Sequence, residues 1–492
     1  MRILLWHGWL LEGSGSNVGA ARLSETFRHA GHEILLLCQE GHPERYPWID
    51  AWGTVAAGGV RELRPNPSAA PGRGRCVLLR PEIGRLLPVF VVDEYEGFEV
   101  KAFPHLSAGE LGTYLGRNVE ALRAAASWRP PDAVLAGHAV PGPAIARRAL
   151  GPSTYVAKIH GSDLEYAVRV QARYRELATE GLGAARAVAG ATHEVLARCL
   201  QLVPAARGRT RVIRPGVSVD AFRPRPRPEA LLEVAERLEA DPDTARGRPS
   251  SHDALVARAV ASGSPDELDR LATTYDQDVS DPDAAARLRE LARSERPLVG
   301  YLGKLIPQKG VELLIEGASL ARTDVDVVIV GFGTHRDRLE ALARAAPRRI
   351  VFTGRLDHRY APGVLAATDV LVVPSILEEA FGMVAAEGAA AGALPLVARH
   401  SGLAEVAAEL QAEVGRPGLF SFEPGPGAAL AVAEGIDRLL GLPSDERAEL
   451  RARVSAFVAR EWTWERSAEL LLDAAGGGEP RDRTGGGRLI RP

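Results

Sequence analysis

Two glutamates, Glu379 and Glu387, stand eight positions apart in the segment EAFGMVAAE. The preceding run DVLVVPS, 369–375, indicates a buried strand and its exit loop, and the Ala-rich MVAAEGAAAG, 383–392, indicates a helix. Amides at the open start of a helix attract phosphates, whereas carboxylates repel phosphates and accept hydrogen bonds from hydroxyls. The spacing therefore predicts a site for a ligand that carries both groups, which is the chemistry of a sugar nucleotide.

Two lysines, Lys304 and Lys309, follow the strand-like run PLVGYLG, 297–303. Two ammonium groups in one turn before a helix suit a diphosphate, because they neutralise the charge that develops on a leaving phosphate. Taken alone, the pattern is explained equally well as a solvated turn that carries two surface lysines without a function. Beside the glutamate pair we favour the functional interpretation.

Two further positions of the second half lie at predicted strand ends. Gly331 ends the strand VDVVIVG and permits close approach of a ligand to the backbone, although a tight turn explains it equally well. Arg355 follows the strand RIVFTG, where it suits a nucleobase or phosphates, or else a surface salt bridge. The sequence leaves both alternatives open.

The first half opens with a Gly-rich loop, GSGSN at 13–17, before a predicted helix. Around Gly15 the loop has the composition of a phosphate cradle. The dinucleotide fingerprint G-x-G-x-x-G nevertheless fails, because position 18 is valine and the next glycine is Gly19. A dehydrogenase is therefore a distant alternative.

Two histidines, His138 and His160, end successive predicted strands of the first half, so we expect them at one edge of a sheet. Either imidazole could donate to a sugar hydroxyl or a phosphate oxygen. Asp163 falls in the first turn of the next helix, where the helix dipole favours it. Ser162 and Glu165 make a capping-box pattern, S-x-x-E, which gives that turn a structural explanation as well.

Composition narrows the class of protein. A length of 492 residues predicts two or more domains, and a net charge of −3 argues against nucleic-acid binding. Three scattered cysteines without metal-ligand spacing favour a reducing cytoplasm. We expect no signal peptide in MRILLWHGWLL and no membrane-spanning segment, and leave peripheral membrane contact open.

The order of elements predicts an α/β protein in which a strand–helix rhythm runs twice. Residues 40–85, rich in Pro and Gly, read as irregular. The predicted divisions are a first Rossmann-like, acceptor-side domain at 1–222, a helical insertion at 223–296, a second Rossmann-like domain at 297–460 that binds the sugar nucleotide, a terminal helix at 461–475 that packs back on the first domain, and a disordered tail at 476–492. The insertion is either a binding element or a surface elaboration.

Several of these segments together resemble the retaining glycosyltransferases of family 4. The segments are GYLGKLIPQKGVELLIEG at 300–317, EAFGMVAAEGAAAGALPLVA, IRPGVSVDAF at 213–222, KIHGSDLEY and REWTWERSAELLL. The resemblance implies the GT-B fold, with two doubly wound Rossmann-like domains facing a central cleft. One departure stands out, because Lys304 occupies the family's arginine position and so keeps the charge without the bidentate fork.

The resemblance also implies roles for the candidate residues. Lys304 and Lys309 would bind the diphosphate, Glu387 the ribose hydroxyls, and Glu379 the transferred sugar. The sugar would also meet the backbone of four residues, Phe381, Gly382, Met383 and Val384. His138 would lie near sugar and acceptor, and the loop around Gly15 would close over the phosphates. The family needs no protein nucleophile, metal or cofactor, and the departing phosphate would help to deprotonate the acceptor.

The sequence therefore predicts a cytoplasmic hexosyltransferase that uses a nucleotide sugar donor. Two alternatives stay open, a GT-B-like sugar-nucleotide epimerase and a non-catalytic sugar-nucleotide-binding protein. The nucleobase, the sugar, the oligomeric state and the acceptor (small molecule, glycan or lipid) are not determined by the sequence.

Overall fold

The computed structural model describes residues 1–91, 95–248, 252–262 and 278–476. The chain folds as two compact units. Unit 1 contains Met1–Gly216 and the C-terminal segment from Trp464, and unit 2 is Val217–Thr463.

The first boundary thus lies a few residues before the predicted one, because the junction residues bond within unit 2. The Val217 amide donates to the Trp462 carbonyl at 2.8 Å, and the buried Phe222 ring lies 5.4 Å from the His358 ring.

Unit 1 is built on a nine-stranded sheet with the order β11-β10-β9-β8-β1-β2-β5-β3-β4. All neighbours pair in parallel except β3 and β4. Its strands are β1 Arg2–Trp6, β2 Glu33–Leu37, β3 Ala51–Ala56, β4 Gly59–Pro65, β5 Arg75–Pro81, β8 Ala133–Gly137, β9 Val156–Lys158, β10 Ala187–Gly190 and β11 Thr210–Val212. A separate parallel pair is formed by β6 Leu86–Val89 and β7 Glu99–Ala102.

The expectation that 40–85 is irregular was wrong. The segment contains β3, β4 and β5, and β5 pairs in parallel with β2 inside the main sheet. Cys76, Val77, Leu78 and Leu79 of β5 are fully buried. Burial of this short apolar run outweighs the turn propensity of the prolines and glycines around it.

The helices of unit 1 before the junction with unit 2 are α1 Gly15–His29, α2 Ala108–Trp128, α3 Gly142–Leu150, α4 Gly161–Asp163, α5 Ala172–Ala184 and α6 His193–Leu202.

Unit 2 has a six-stranded parallel sheet with the order β14-β13-β12-β15-β16-β17. The strands are β12 Leu298–Leu302, β13 Asp326–Val330, β14 Arg349–Phe352, β15 Val370–Val373, β16 Leu394–Ala398 and β17 Ser421–Phe422. The helices are α7 Arg227–Glu239, α8 His252–Ser262, α9 Ala284–Ala292, α10 Val311–Leu320, α11 Arg336–Ala345, α12 Ala361–Ala367, α13 Met383–Ala390, α14 Ser401–Val414, α15 Ala428–Leu440 and α16 Ser444–Glu461. Continuous apolar runs such as Val327–Val330 are buried because helices cover the sheet.

The predicted helical insertion corresponds to α7, α8 and α9, and 249–251 and 263–277 lie outside the described residues. Helix α7 packs against α9 and α12. Leu231 and Leu238 of α7 are fully buried, and a Cβ at Gly363 of α12 would lie 2.5 Å from Val234. These two helices of the insertion are therefore part of the packed unit.

The chain returns to unit 1 through α17, Trp464–Gly476, and 477–492 of the predicted tail lie outside the described residues. Helix α17 packs on α1 and on β8, β9 and β10. Leu471 is fully buried, and the Ser467 hydroxyl donates to the Arg214 carbonyl.

We expect Leu471→Ala to lower the free energy of unfolding by about 2–5 kcal/mol, because it leaves a cavity under α17. Leu472→Ala is the matched control, since Leu472 lies on the same helix and is only partly buried. Urea unfolding followed by circular dichroism measures both. Equal losses for the two variants would show that α17 does not pack as described.

Candidate functional site

The carboxyl ends of parallel strands lie at one edge of a sheet, and in unit 2 this edge gathers the predicted residues. The loop after β12 carries Lys304 and Lys309, and the loop after β15 carries Glu379. Gly331 follows β13, and Arg355 follows β14.

Lys309 and Glu379, predicted separately, are in direct contact. The Lys309 ammonium donates to Glu379 Oε1, and each side chain is 22% exposed. The two loops are tied by their backbones, because the Ile376 and Leu377 amides donate to the Gln308 carbonyl at 2.9 and 3.1 Å.

Gly310 makes this approach of the two loops possible. It has φ 63°, and a Cβ there would lie 2.3 Å from the Pro374 carbonyl oxygen. The position therefore admits only glycine without rearrangement, which explains the glycine after Lys309.

Lys304 is exposed at the end of β12. Its carbonyl accepts a hydrogen bond from the Tyr301 hydroxyl at 2.9 Å, which fixes the backbone and leaves the ammonium at the surface. Burial and the nearby Glu379 carboxylate both raise the pKa of Tyr301, so Tyr301 stays a neutral donor.

Glu387 lies in the second turn of α13 and is only 8% exposed. Its Oε1 is 3.3 Å from His358 Nε2. The helix begins after Gly382, which has φ 97° and whose Cβ would lie 2.4 Å from Leu403. Among the described residues no side chain caps this helix start, so its first amides, at Met383 and Val384, are available to an anion.

Phe381 is buried and its ring lies 5.2 Å from that of Trp462, at nearly a right angle. The side chain therefore has a packing role and anchors the turn before α13, so any ligand contact of Phe381 falls to its backbone.

Gly331 and Arg355 lie in the neighbouring loops. A Cβ at Gly331 would lie 1.9 Å from the Gly303 carbonyl oxygen, and the Gly331 amide donates to the Gly354 carbonyl at 2.9 Å. The glycine is thus required by close packing of three loops. The exposed Arg355 guanidinium lies 5.2 Å from the centre of the Phe332 ring, a cation–π distance.

Unit 1 brings a second group of predicted residues together. His138 has φ 67°, rare for a non-glycine residue, and its ring lies 4.5 Å from that of His160. The rings of Trp9 and Phe90 lie 4.4 and 5.0 Å from His138. The loops after β8 and β9 therefore meet, as the strand-end argument predicted.

Asp163 holds these two loops in place. It is fully buried, and its Oδ2 accepts from the amides of Ala139 at 2.6 Å and His160 at 2.9 Å. The expected S-x-x-E capping box was wrong, because Asp163 takes the amide at the start of α4 and Glu165 instead pairs with Arg198 at 2.9 Å.

Gly15 is the first residue of α1, and a Cβ there would meet nothing within 4 Å. The Ser14 side chain caps the helix by accepting from the Asn17 amide at 3.3 Å. The glycine is therefore not required by local packing.

Sequence reasoning missed His7 and Lys158 in unit 1. His7 directly follows β1, the neighbour of β8, and its Nε2 lies 3.0 Å from Asn17 Oδ1. Lys158 ends β9. His7 and Lys158 are polar residues at the carboxyl ends of central strands. The same pattern identified His138, so it could also have identified these two. His358 was missed because its loop has no such pattern.

Burial shifts the pKa values in the unit 1 cluster of His7, His138, Lys158, His160 and Asp163 toward the uncharged forms, so that at neutral pH the imidazoles are neutral while Lys158 keeps its charge. It lowers the pKa of His7 to about 4 and that of Lys158 to about 8, and it raises the pKa of Asp163 to about 7. The pKa values of His138 and His160 fall well below 6.5 through burial and neighbouring positive charge. His138 Nδ1 is buried with no hydrogen-bond partner among the described residues.

These shifts fix the sign of a pH effect on stability. The folded chain binds fewer protons at His7 than the unfolded chain between pH 6.5 and about 4, so the unfolding free energy falls as the pH falls through this window. His138 and His160 act in the same direction. Asp163 opposes them, because it stays protonated in the folded state up to about pH 7.

We expect the unfolding temperature to fall between about pH 6.5 and about pH 5, and to fall less in His7→Gln, which has no imidazole to protonate. His29→Gln is the matched control, because His29 is exposed. Thermal unfolding by circular dichroism checks this. Identical pH dependence in His7→Gln and the wild type would contradict it.

Two surveys of the described residues complete the site. Within them, no group of three His, Cys, Asp or Glu side chains is arranged to hold a metal ion, and no helix combines the length and apolarity that crossing a membrane requires. Cys38, Cys76 and Cys199 are free and buried.

Part of the chain matches a known protein family. Residues 284–456 match the family described as glycosyl transferases group 1. Glycogen synthase 2 of Nitrosococcus oceani is 28% identical over 183 residues, 36% of each chain. The 2-deoxystreptamine glucosyltransferase of Streptomyces kanamyceticus is 32% identical over 201 residues, 38% of this chain and 48% of the relative.

A third relative is the GDP-mannose-dependent alpha-(1-6)-phosphatidylinositol monomannoside mannosyltransferase of Mycobacterium tuberculosis. It is 31% identical over 230 residues, 44% of this chain and 57% of the relative. The chain thus matches less than two thirds of the length of each of these curated relatives.

Two solved structures resemble the whole chain. Sucrose-phosphate synthase of Thermosynechococcus elongatus superposes with a TM-score of 0.59 at 18% identity, covering 96% of this chain and 97% of the other. Anabaena Alr3699/HepE, in complex with UDP and glucose, has a TM-score of 0.59 at 15% identity, covering 97% and 99%. At these identities the likeness establishes the fold. The chain thus has the GT-B fold, and its residues 284–456 match the glycosyl transferases group 1.

Proposed function

We propose that the protein is a retaining glycosyltransferase of family 4 that moves a hexose from a nucleoside-diphosphate sugar to an acceptor hydroxyl. The observation that carries the proposal is the Lys309–Glu379 pair beside the uncapped start of α13, with the buried Glu387 one turn further on. Cation, open amides and carboxylates at one sheet edge match a ligand with phosphates and hydroxyls. All of these residues fall inside 284–456.

On the donor side, Lys304 and Lys309 bind the diphosphate and stabilise its charge as the sugar leaves. Glu387 accepts from the ribose hydroxyls. Glu379 and the backbone of 381–384 contact the transferred sugar, and Gly331 and Arg355 line the nucleotide side. The UDP and glucose bound to a protein of the same fold support a nucleotide sugar as donor.

The reaction we propose needs no covalent intermediate on the protein. The bond from the sugar C1 to the diphosphate oxygen breaks, and a bond from C1 to the acceptor oxygen forms on the same face. The acceptor proton passes to an oxygen of the departing phosphate. Glu379 is engaged by Lys309, which favours a role in positioning over one as nucleophile.

In unit 1, we propose that the acceptor contacts the group of His138, His160 and Asp163. His138 Nδ1, which has no hydrogen-bond partner among the described residues, is suited to a hydroxyl. The relatives' names include a glucan, an aminocyclitol and a phosphatidylinositol glycoside, so the acceptor class stays open.

The test of the proposal is a donor screen. We expect one of UDP, GDP and ADP to raise the unfolding temperature, because a ligand that binds only the folded state stabilises it by about 2.7 kcal/mol at a hundred times its Kd. The matching nucleotide sugars, incubated with a panel of glycan, aminocyclitol and lipid acceptors, should then release nucleotide only when an acceptor is present.

Other results of this screen lead to other functions. If none of the three nucleotides stabilises the protein, the donor site is absent. Donor isomerisation without acceptor indicates an epimerase, and binding without turnover indicates a non-catalytic binding protein.

We expect Lys309→Ala to lower turnover by a factor on the order of 10²–10³, as the loss of one charge-stabilising group does. Lys101→Ala is the matched control, because Lys101 also forms a pair with a glutamate, Glu110 at 2.9 Å, but belongs to unit 1, whereas the proposed donor residues belong to unit 2. Steady-state nucleotide release measures both. Wild-type turnover in Lys309→Ala would remove the lysine from the mechanism.

A further inference from the structure

The carboxylate of Glu387 is held by a residue outside the predicted motifs. His358 lies in the loop after β14, residues 354–360, which we call the β14 loop. Its Nε2 is 3.3 Å from Glu387 Oε1, and its ring lies 5.4 Å from that of the buried Phe222. Because Glu387 is only 8% exposed, this contact restricts the direction in which the carboxylate points.

The segment of the insertion just before α9 holds the start of the β14 loop. The Asp281 amide donates to the Thr353 carbonyl at 2.8 Å, and the Arg355 amide donates to the Val279 carbonyl at 3.2 Å. Gly354 has φ 71°, and a Cβ there would lie 2.6 Å from Asp281 Oδ1. The two segments are therefore joined as a short antiparallel pair with room only for glycine.

The beginning of the insertion holds the other end of the loop. Asp241 Oδ2 accepts from Arg359 Nη2 at 2.6 Å and from the Tyr360 hydroxyl at 2.7 Å. The hydrogen bond from Tyr360 lowers the pKa of Asp241, so the carboxylate is charged at neutral pH. The Arg237 guanidinium lies 5.1 Å from the centre of the Tyr360 ring.

The two anchoring points are themselves connected. Thr244 Oγ1 lies 3.1 Å from Ser280 Oγ, and both hydroxyls are buried. Residues of the insertion thus bind both ends of the β14 loop, and His358 lies between these two points of contact. A surface elaboration would not need contacts at both ends of this one loop.

We propose that His358 is a positioning residue that orients Glu387 toward the nucleotide ribose, and that the insertion holds the loop that presents His358. This inference rests on the proposed function, because it assumes that Glu387 accepts from the ribose hydroxyls. His358 fixes Oε1, which directs Oε2 to the hydroxyls. The insertion thereby contributes to donor affinity without touching the donor.

The test compares ribose with 2′-deoxyribose ligands. Calorimetry is run with UDP, GDP and ADP and with their 2′-deoxy forms on wild type, His358→Ala and His358→Gln. We expect His358→Ala to weaken binding of the ribonucleotide about tenfold, the effect of one charge-assisted hydrogen bond, and to change binding of the deoxynucleotide little. His358→Gln should restore most of the loss, because its amide donates at a similar reach.

Three further variants serve as references. His42→Ala is the matched control, since His42 also has its Nε2 3.3 Å from a glutamate, Glu96, with similar exposure, but lies in unit 1. Glu387→Ala should abolish the preference for ribose. Asp241→Ala removes the hydrogen bonds to Arg359 and Tyr360. It should weaken ribonucleotide binding, by a smaller factor than His358→Ala does.

Each outcome has a separate meaning. If the wild type binds none of the nucleotides, the proposed function fails and this inference fails with it. Suppose that the wild type prefers ribose. If His358→Ala then binds ribonucleotides as tightly as the wild type, or loses affinity for ribonucleotides and deoxynucleotides equally, His358 is a packing residue and only this inference is wrong. If Asp241→Ala binds ribonucleotides as tightly as the wild type, the insertion has no role in donor affinity.

Should His358→Ala fail to fold, His358→Asn and His358→Gln give the same comparison. The asparagine amide stops short of Glu387 and the glutamine amide reaches it. Equal binding of ribonucleotides by these two variants would overturn the positioning role.

Discussion

The geometry of the proposed donor site depends on one backbone carbonyl. Gln308 O accepts from the amides of Ile376 and Leu377, and it joins the loops after two adjacent strands of unit 2. Gly310, packed against the Pro374 carbonyl, lets the loops approach. Only because of this junction does Lys309 meet Glu379, 70 residues away along the chain. The functional pair is therefore positioned by main-chain groups, which side-chain variation leaves in place.

The candidate residues of unit 1 are governed by burial, whereas those of unit 2 are governed by ion pairing. The unit 1 cluster of imidazoles, Lys158 and Asp163 is removed from water, and desolvation keeps the imidazoles neutral at pH 7. Asp163 acts as an acceptor for backbone amides and fixes the strained turn at His138. The two sheet edges have the same architecture but offer different chemistry, an ion pair in unit 2 and buried neutral imidazoles in unit 1.

The sequence predicted those parts of the fold and site that depend on local patterns. The βα rhythm, the helical insertion and the strand-end residues were found because periodicity and strand–loop–helix order are local. Strands β3, β4 and β5 were missed because their pairing with distant residues outweighs a Pro- and Gly-rich composition. His358 was missed because its role arises from a contact with Glu387, 29 residues away and visible only after folding.

A last consequence follows from the pairing of Lys309 with Glu379. Only four of the 60 basic residues are lysines, and Lys309, in the proposed donor site, already has its own counter-ion. A small inorganic anion that reached it would have to displace a carboxylate and would leave that carboxylate unsatisfied. A ligand that brings hydroxyls together with its phosphates would satisfy both partners at once, so we expect the pair to discriminate against free phosphate.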